Sequence, residues 1–114
     1  MGVIRRVGSR ERPERVASRA AEYQVRLERA LALAARRAAR SSATVRALFA
    51  SAVVEDVALK RGIKSTKILF TAPPFKGGLH QVWGWHQLAA LTDSEVASEI
   101  SHALRDSIAR ASRV

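Results

Sequence analysis

The chain reads as a mostly α-helical protein: three long helices, over about residues 13–40, 42–61 and 93–111, with a small β-hairpin or irregular insert at about 66–86. Three observations predict this. Apolar residues recur every three or four positions through the first half of the chain. Thr92-x-x-Glu95 forms a capping box that opens a further periodic run. Between them Pro73-Pro74 and Gly77-Gly78 punctuate two short stretches rich in β-branched and aromatic residues.

Each element follows in order. Residues 1–12 are dense in arginine and poor in bulky apolar groups, which predicts a flexible basic arm and leaves 13–114 as a single helical domain. Pro13 suits the first turn of a helix, and Glu14 suits its positive end. Val16, Ala20, Tyr23, Leu27, Leu31, Ala34 and Ala38 then make an apolar stripe. Ser41 or Ser42 can cap a second helix, whose stripe is Val45, Leu48, Phe49, Ala52, Val53 and Val57. Lys60 and Arg61 suit its negative end, and Gly62 the left-handed closing position. "TKILFTA" and "LHQVWGW" flank a loop near 73–78 and predict a hairpin. The last helix carries Val96, Ile100, Ala103, Leu104, Ile108 and Ala111 inward, with Arg110 and Arg113 at its C-terminal end.

Composition narrows the function classes. Apolar residues make up 47% of 114, but aromatics only 5%, and much of the remainder is alanine. An alanine-rich core favours close-packed helices, or burial completed by a partner or by self-association, and a homo-oligomer is the expectation. The absence of cysteine excludes disulfides and thiolate metal sites. No apolar run approaches the ~20 residues that span a bilayer, so no membrane partner is expected. The first sixteen residues place charge where a secretory signal needs an apolar region, and Glu11 and Glu14 count against a mitochondrial-type presequence.

The net charge is +10, and it is uneven. Residues 1–46 hold twelve Lys or Arg against four acids, or +8; residues 47–114 hold eight against six, or +2. That asymmetry points to a polyanionic partner. At about 100° per residue, Arg15, Arg19, Arg26, Arg29, Arg36, Arg37 and Arg40 fall mostly on one arc beside the apolar stripe, with Arg12 just before them. Such a strip can track phosphates. The competing reading is a solvated face partly paired with Glu22 and Glu28.

The stretch "EDVALKRGIKSTKILFTAPP" admits two readings. Ala58, Gly62 and Ile68, with Ile63 after the glycine, hold the spacing of a small residue, a turn glycine and a β-branched core residue. In these residues the segment resembles the helix-turn-helix family. The resemblance implies a recognition helix presenting Lys64, Ser65, Thr66 and Lys67 to DNA. The alternative is a glycine C-cap followed by a strand "KILFTA" with Ile68, Phe70 and Ala72 on one face.

Trp83 and Trp85 complete the thin core, form a partner interface or stack on bases. His80 and His86 fit no zinc spacing, and His102 stands near Glu99 and Asp106 as a surface pair. No serine lies in a nucleophile elbow, and "PFKGGLH" lacks the ending of a phosphate loop. The expectation is therefore a non-enzyme without metal or cofactor. It is a small basic nucleic-acid-binding protein, DNA ahead of RNA, cytoplasmic and nucleoid-associated. The alternative is an assembly protein. The layout of basic helices, Trp-bearing hairpin and terminal amphipathic helix resembles the small neck and tail-completion proteins of tailed phages. That resemblance implies a homo-oligomeric virion component whose arginines meet acidic protein surfaces and whose Trp83/Trp85 face is buried between subunits.

Overall fold

The computed structural model describes residues 13–57 and 64–113. The predicted arm, with Arg12, and the Lys60–Gly62 helix end lie outside the described residues.

Helix α1 (Pro13–Arg37) starts at the predicted proline and carries Arg36 and Arg37 in its last turn. It stops three residues earlier than the periodicity suggests, because residues 38–40 tighten into a turn. Ala38 N–H donates to both Ala34 O and Ala35 O, and Ser41 N–H donates to Ala38 O at 2.9 Å. The buried stripe is Leu27, Ala30, Ala34 and Ala38, with Tyr23 and Leu31 half-buried beside it. Ala30 is an addition to the stripe read from the sequence.

Helix α2 (Ala43–Ser51) is capped by Ser42, whose Oγ accepts from Val45 N–H at 3.3 Å. It is far shorter than the predicted helix over 42–61, and the reason is local. Ser51 Oγ–H donates to Leu48 O at 2.7 Å, which satisfies one of the carbonyls the helix leaves open. The same oxygen accepts from Thr71 N–H at 3.0 Å and Ala72 N–H at 3.2 Å, so the helix end is bound to another part of the chain. Ala52 turns extended (φ −69°, ψ 134°), and strand β1 (Val53–Val57) follows. Its three valines at 53, 54 and 57 suit a pleated ladder better than a helix flank.

β1 pairs antiparallel with β2 (Ser65–Phe70), which pairs antiparallel with β3 (Leu79–Gly84), giving the order β1-β2-β3. The hairpin predicted around 73–78 is therefore present, with a third strand added from the segment expected to be helical. The flanks of the helix-turn-helix-like stretch are strands, not helices: Ile68 sits on β2, while Ala58, Gly62 and Ile63 lie outside the described residues. Alternation sorts the sheet into two faces. Val54, Thr66, Ile68, Phe70, Leu79, Gln81 and Trp83 look inward; Val53, Glu55, Lys67, Leu69, His80 and Val82 look outward. In the β2–β3 connection Gly78 takes φ +88°, the left-handed region that favours glycine, and a Cβ there would press on the Leu69 Cδ1 methyl.

Helix α3 (Trp85–Ala90) follows β3 directly, its start tied by Gly84 N–H donating to Gln87 Oε1 at 2.8 Å. Helix α4 (Asp93–Ala111) opens on the predicted capping box. Glu95 N–H donates to Thr92 Oγ1 at 3.1 Å, and Thr92 N–H donates to Glu95 Oε1 at 2.9 Å. Val96, Ala97, Ile100 and Leu104 of α4 pack on the α1 stripe and on the inner face of the sheet, with Leu48 and Leu88 closing the sides. Fully burying each such large side chain stabilises by about 1.5–3 kcal/mol. The alanines at 30, 34 and 97 carry little apolar area; they let the two long helices approach closely.

Cross-helix contacts step from Arg26–Asp93 through Arg37–Ser98 to Ser41–Arg105, so α1 and α4 run in the same direction. No described helix is long and apolar enough to cross a membrane.

Candidate anion-binding face

The arginines of α1 divide by what they meet. Arg19 lies over the Trp85 ring, 5.3 Å from its centroid, and Lys64 over the same ring at 6.0 Å. Arg26 and Arg29 converge on one carboxylate: Arg26 Nε stands 3.4 Å from Asp93 Oδ1 and Arg29 Nε 3.2 Å from Asp93 Oδ2. Arg26 Nη2 also donates to Leu91 O. The acid that meets Arg26 and Arg29 therefore comes from the start of α4; no ion pair of these two with Glu22 or Glu28 on α1 occurs among the described residues. At that start the helix end favours negative charge, so Asp93 is well placed to hold two guanidiniums.

Toward the end of α1 the pattern changes. Arg37 Nη2 donates to Ser94 Oγ at 2.7 Å, and its Nη1 reaches Ser94 O at 3.3 Å and Ser98 Oγ at 3.4 Å. Arg105 Nη2 donates to Ser41 Oγ at 3.4 Å. Arg15, Arg36 and Arg40 are exposed. Among the described residues none of Arg15, Arg36, Arg37, Arg40 and Arg105 has a carboxylate within ion-pair distance. Between Glu28 and Glu55 the sequence holds five arginines and no acid, which is why this end of the molecule is left positive.

The second basic set does not assemble. Ser65 and Thr66 are buried, at 5% and 0% exposure, and Lys67 stands 3.8 Å from Glu55 across the outer sheet face. Burial removes both hydroxyls from any groove-reading role: Lys64 precedes the central strand, and Ser65–Lys67 begin that strand and not a recognition helix. Trp83 and Trp85 are likewise buried, at 7% and 6%, which places them in the core in place of the expected partner interface. Trp85 Nε1–H donates to Thr66 Oγ1 at 2.9 Å, and Tyr23 stacks on the indole with centroids 5.1 Å apart. Trp83 Nε1 and Gln81 Oε1 are buried without a hydrogen-bond partner among the described residues, while Gln81 Nε2 donates to Ile100 O at 3.2 Å.

Sequence reading missed the α4 side of the positive end. Ser94, Ser98, Ser101 and Arg105 recur at four-, three- and four-residue steps and so share one flank of α4, a signal open to inspection but masked by the charged residues between them. No group of three or more His, Asp or Glu able to hold a metal occurs among the described residues. The chain matches no protein-family model, no curated protein and no solved structure.

Proposed function

We propose that the chain is a small nucleic-acid-binding protein that contacts phosphates through the positive end of the α1–α4 pair, DNA ahead of RNA. The observation that carries this reading is the set of arginines at that end, Arg36, Arg37, Arg40 and Arg105, that meet no carboxylate among the described residues; Arg15 also meets none but stands at the opposite end of α1. Their charge is available to an outside anion at no cost in broken ion pairs. Arg26 and Arg29 contribute less, since a phosphate must compete with Asp93. Binding on this basis is electrostatic and largely indifferent to sequence. With about four phosphates neutralised, log affinity for duplex DNA falls against log salt with a slope near −4. Fluorescence anisotropy on a labelled duplex across a salt series measures it; absent binding at low salt, or binding insensitive to salt, rejects the reading.

A second reading, assembly into a homo-oligomer, is favoured by one observation. Val53 and Val82, 50% and 56% exposed, lie on the outer face of the sheet, Val53 opposite Leu69 and Val82 opposite Lys67. Half-exposed valines on the outer sheet face suit a protein contact. Light scattering over a concentration range, on the native chain and on Val82→Lys, separates the two readings. A larger species that Val82→Lys dissolves supports assembly, and a monomer at all concentrations removes it.

A further inference from the structure

Where α1 ends, the seam between α1 and α4 opens into a surface cleft of about 350 Å³. Arg37 and Ala38 form one wall; Ser98, Ser101, His102 and Arg105 form the other. Ala38 is only 2% exposed, and its small side chain adds little bulk to that wall. Every ionisable side chain lining the cleft is a base, and no carboxylate lines it.

The two guanidiniums are oriented without being neutralised. Arg37 is held by the Ser94 and Ser98 hydroxyls and the Ser94 carbonyl, and Arg105 by the Ser41 hydroxyl. Hydrogen bonds to neutral oxygens fix a side chain while leaving its full charge in place. Each guanidinium keeps further N–H donors, since it has five in a planar fork. The negative end of α1 lies nearby, but it amounts to about half a charge, and its carbonyls at Ala34, Ala35, Arg36 and Ala38 already accept backbone N–H groups. Two full positive charges outweigh it.

We propose that this cleft is a phosphate-binding site. Arg37 and Arg105 grip the oxygens of one tetrahedral phosphate from opposite walls; the Ser98 and Ser101 hydroxyls and the His102 imidazole supply the remaining donors. The forked geometry matches phosphate oxygens in pairs, which a scattering of exposed arginines does not. This goes beyond the proposed function, for the cleft takes phosphate whether or not the outer arginines of α1 bind nucleic acid. The phosphate could be a free ion or the end group of a nucleic-acid strand, and both present the same oxygens.

The test is a titration of the full chain with inorganic phosphate against sodium chloride at matched ionic strength, followed by amide and arginine Nε–H shifts. Saturable shifts centred on Arg37, Ser98, His102 and Arg105 are expected, with a dissociation constant on the order of 1 mM. Arg105→Gln, an exposed substitution that leaves the core untouched, is expected to weaken phosphate at least tenfold, and Arg37→Gln likewise. Titration of a short oligonucleotide with and without a 5′-phosphate then identifies the source. A preference for the phosphorylated strand that Arg105→Gln removes supports a strand end. Equal affinity for both strands, with inorganic phosphate still bound in the cleft, supports a free phosphate or small phosphoester. Shifts spread over all exposed arginines, or a phosphate response unchanged in the Arg37→Gln/Arg105→Gln pair, overturn the site. Loss of duplex binding alone rejects the proposed function and leaves the cleft standing.

Discussion

Trp85 and Thr66 are joined inside the core by a hydrogen bond of 2.9 Å, indole N–H to hydroxyl, between the first residue of α3 and the second of β2. The Thr66 side chain is wholly buried, so its hydroxyl has no access to solvent as a substitute partner. Two residues away Trp83 holds its own indole N–H buried and without a partner among the described residues.

That contrast predicts different costs for the same chemical change. Trp85→Phe strands the Thr66 hydroxyl and costs about 1–3 kcal/mol more than its lost volume alone. Trp83→Phe removes an unpartnered donor and should cost less. Urea unfolding of the two variants ranks them; equal losses contradict the hydrogen-bond assignment.

Ala34→Leu tests the close approach of α1 and α4. Ala34 is fully buried against the α4 stripe, and a larger side chain has no space to enter. Destabilisation of about 1–3 kcal/mol is expected from overpacking. A stabilised variant, measured by thermal unfolding, shows that the core has slack there.

Asp93→Asn releases two guanidiniums at once. Stability should fall by no more than about 1 kcal/mol, because the pair is partly exposed. Affinity for duplex DNA at low salt should rise and its salt slope steepen, since Arg26 and Arg29 become free for phosphate. Anisotropy titrations of variant and native chain decide it; unchanged affinity places the DNA contact away from this part of α1.

Glu95 ties α4 to acid conditions. Its carboxyl sits below the ordinary glutamate range because it accepts hydrogen bonds from the backbone and then the side chain of Thr92. A lowered folded pKa stabilises the ionised, folded form. The contribution is full above the unfolded value and is lost as pH falls through the folded one. Protection of the Thr92 and Glu95 amides, taken against the intrinsic exchange rate at each pH, should therefore fall on acidification through and below the usual carboxylate range, and Glu95→Gln should flatten that dependence.

The ends of the chain's regular elements were legible where a side chain acts locally. Ser42, the Thr92–Glu95 box, the prolines and glycines of the β2–β3 connection and the α1 stripe all declared themselves through spacing. What stayed hidden depends on distant partners. Val53 and Val57 fit a helix flank by spacing, and only the ladder with β2 makes them strand residues. Ser51 looks like any helical serine until Thr71 and Ala72 arrive at its oxygen from twenty residues on. The positive face was half visible: the α1 arginines follow from periodicity, but their sorting by Asp93 and the serines of α4 needs the parallel docking of the two helices.

Ser51 ties two elements together through a single side chain. One hydroxyl serves main-chain groups of α2 and of the β2–β3 connection, so neither can open alone without leaving the other short of a partner. Thr71, though exposed at the surface, is thereby enrolled in the cooperative unit that contains α2. Its amide should exchange with solvent at the pace of that unit, so that a surface position reports from outside on when the interior comes apart.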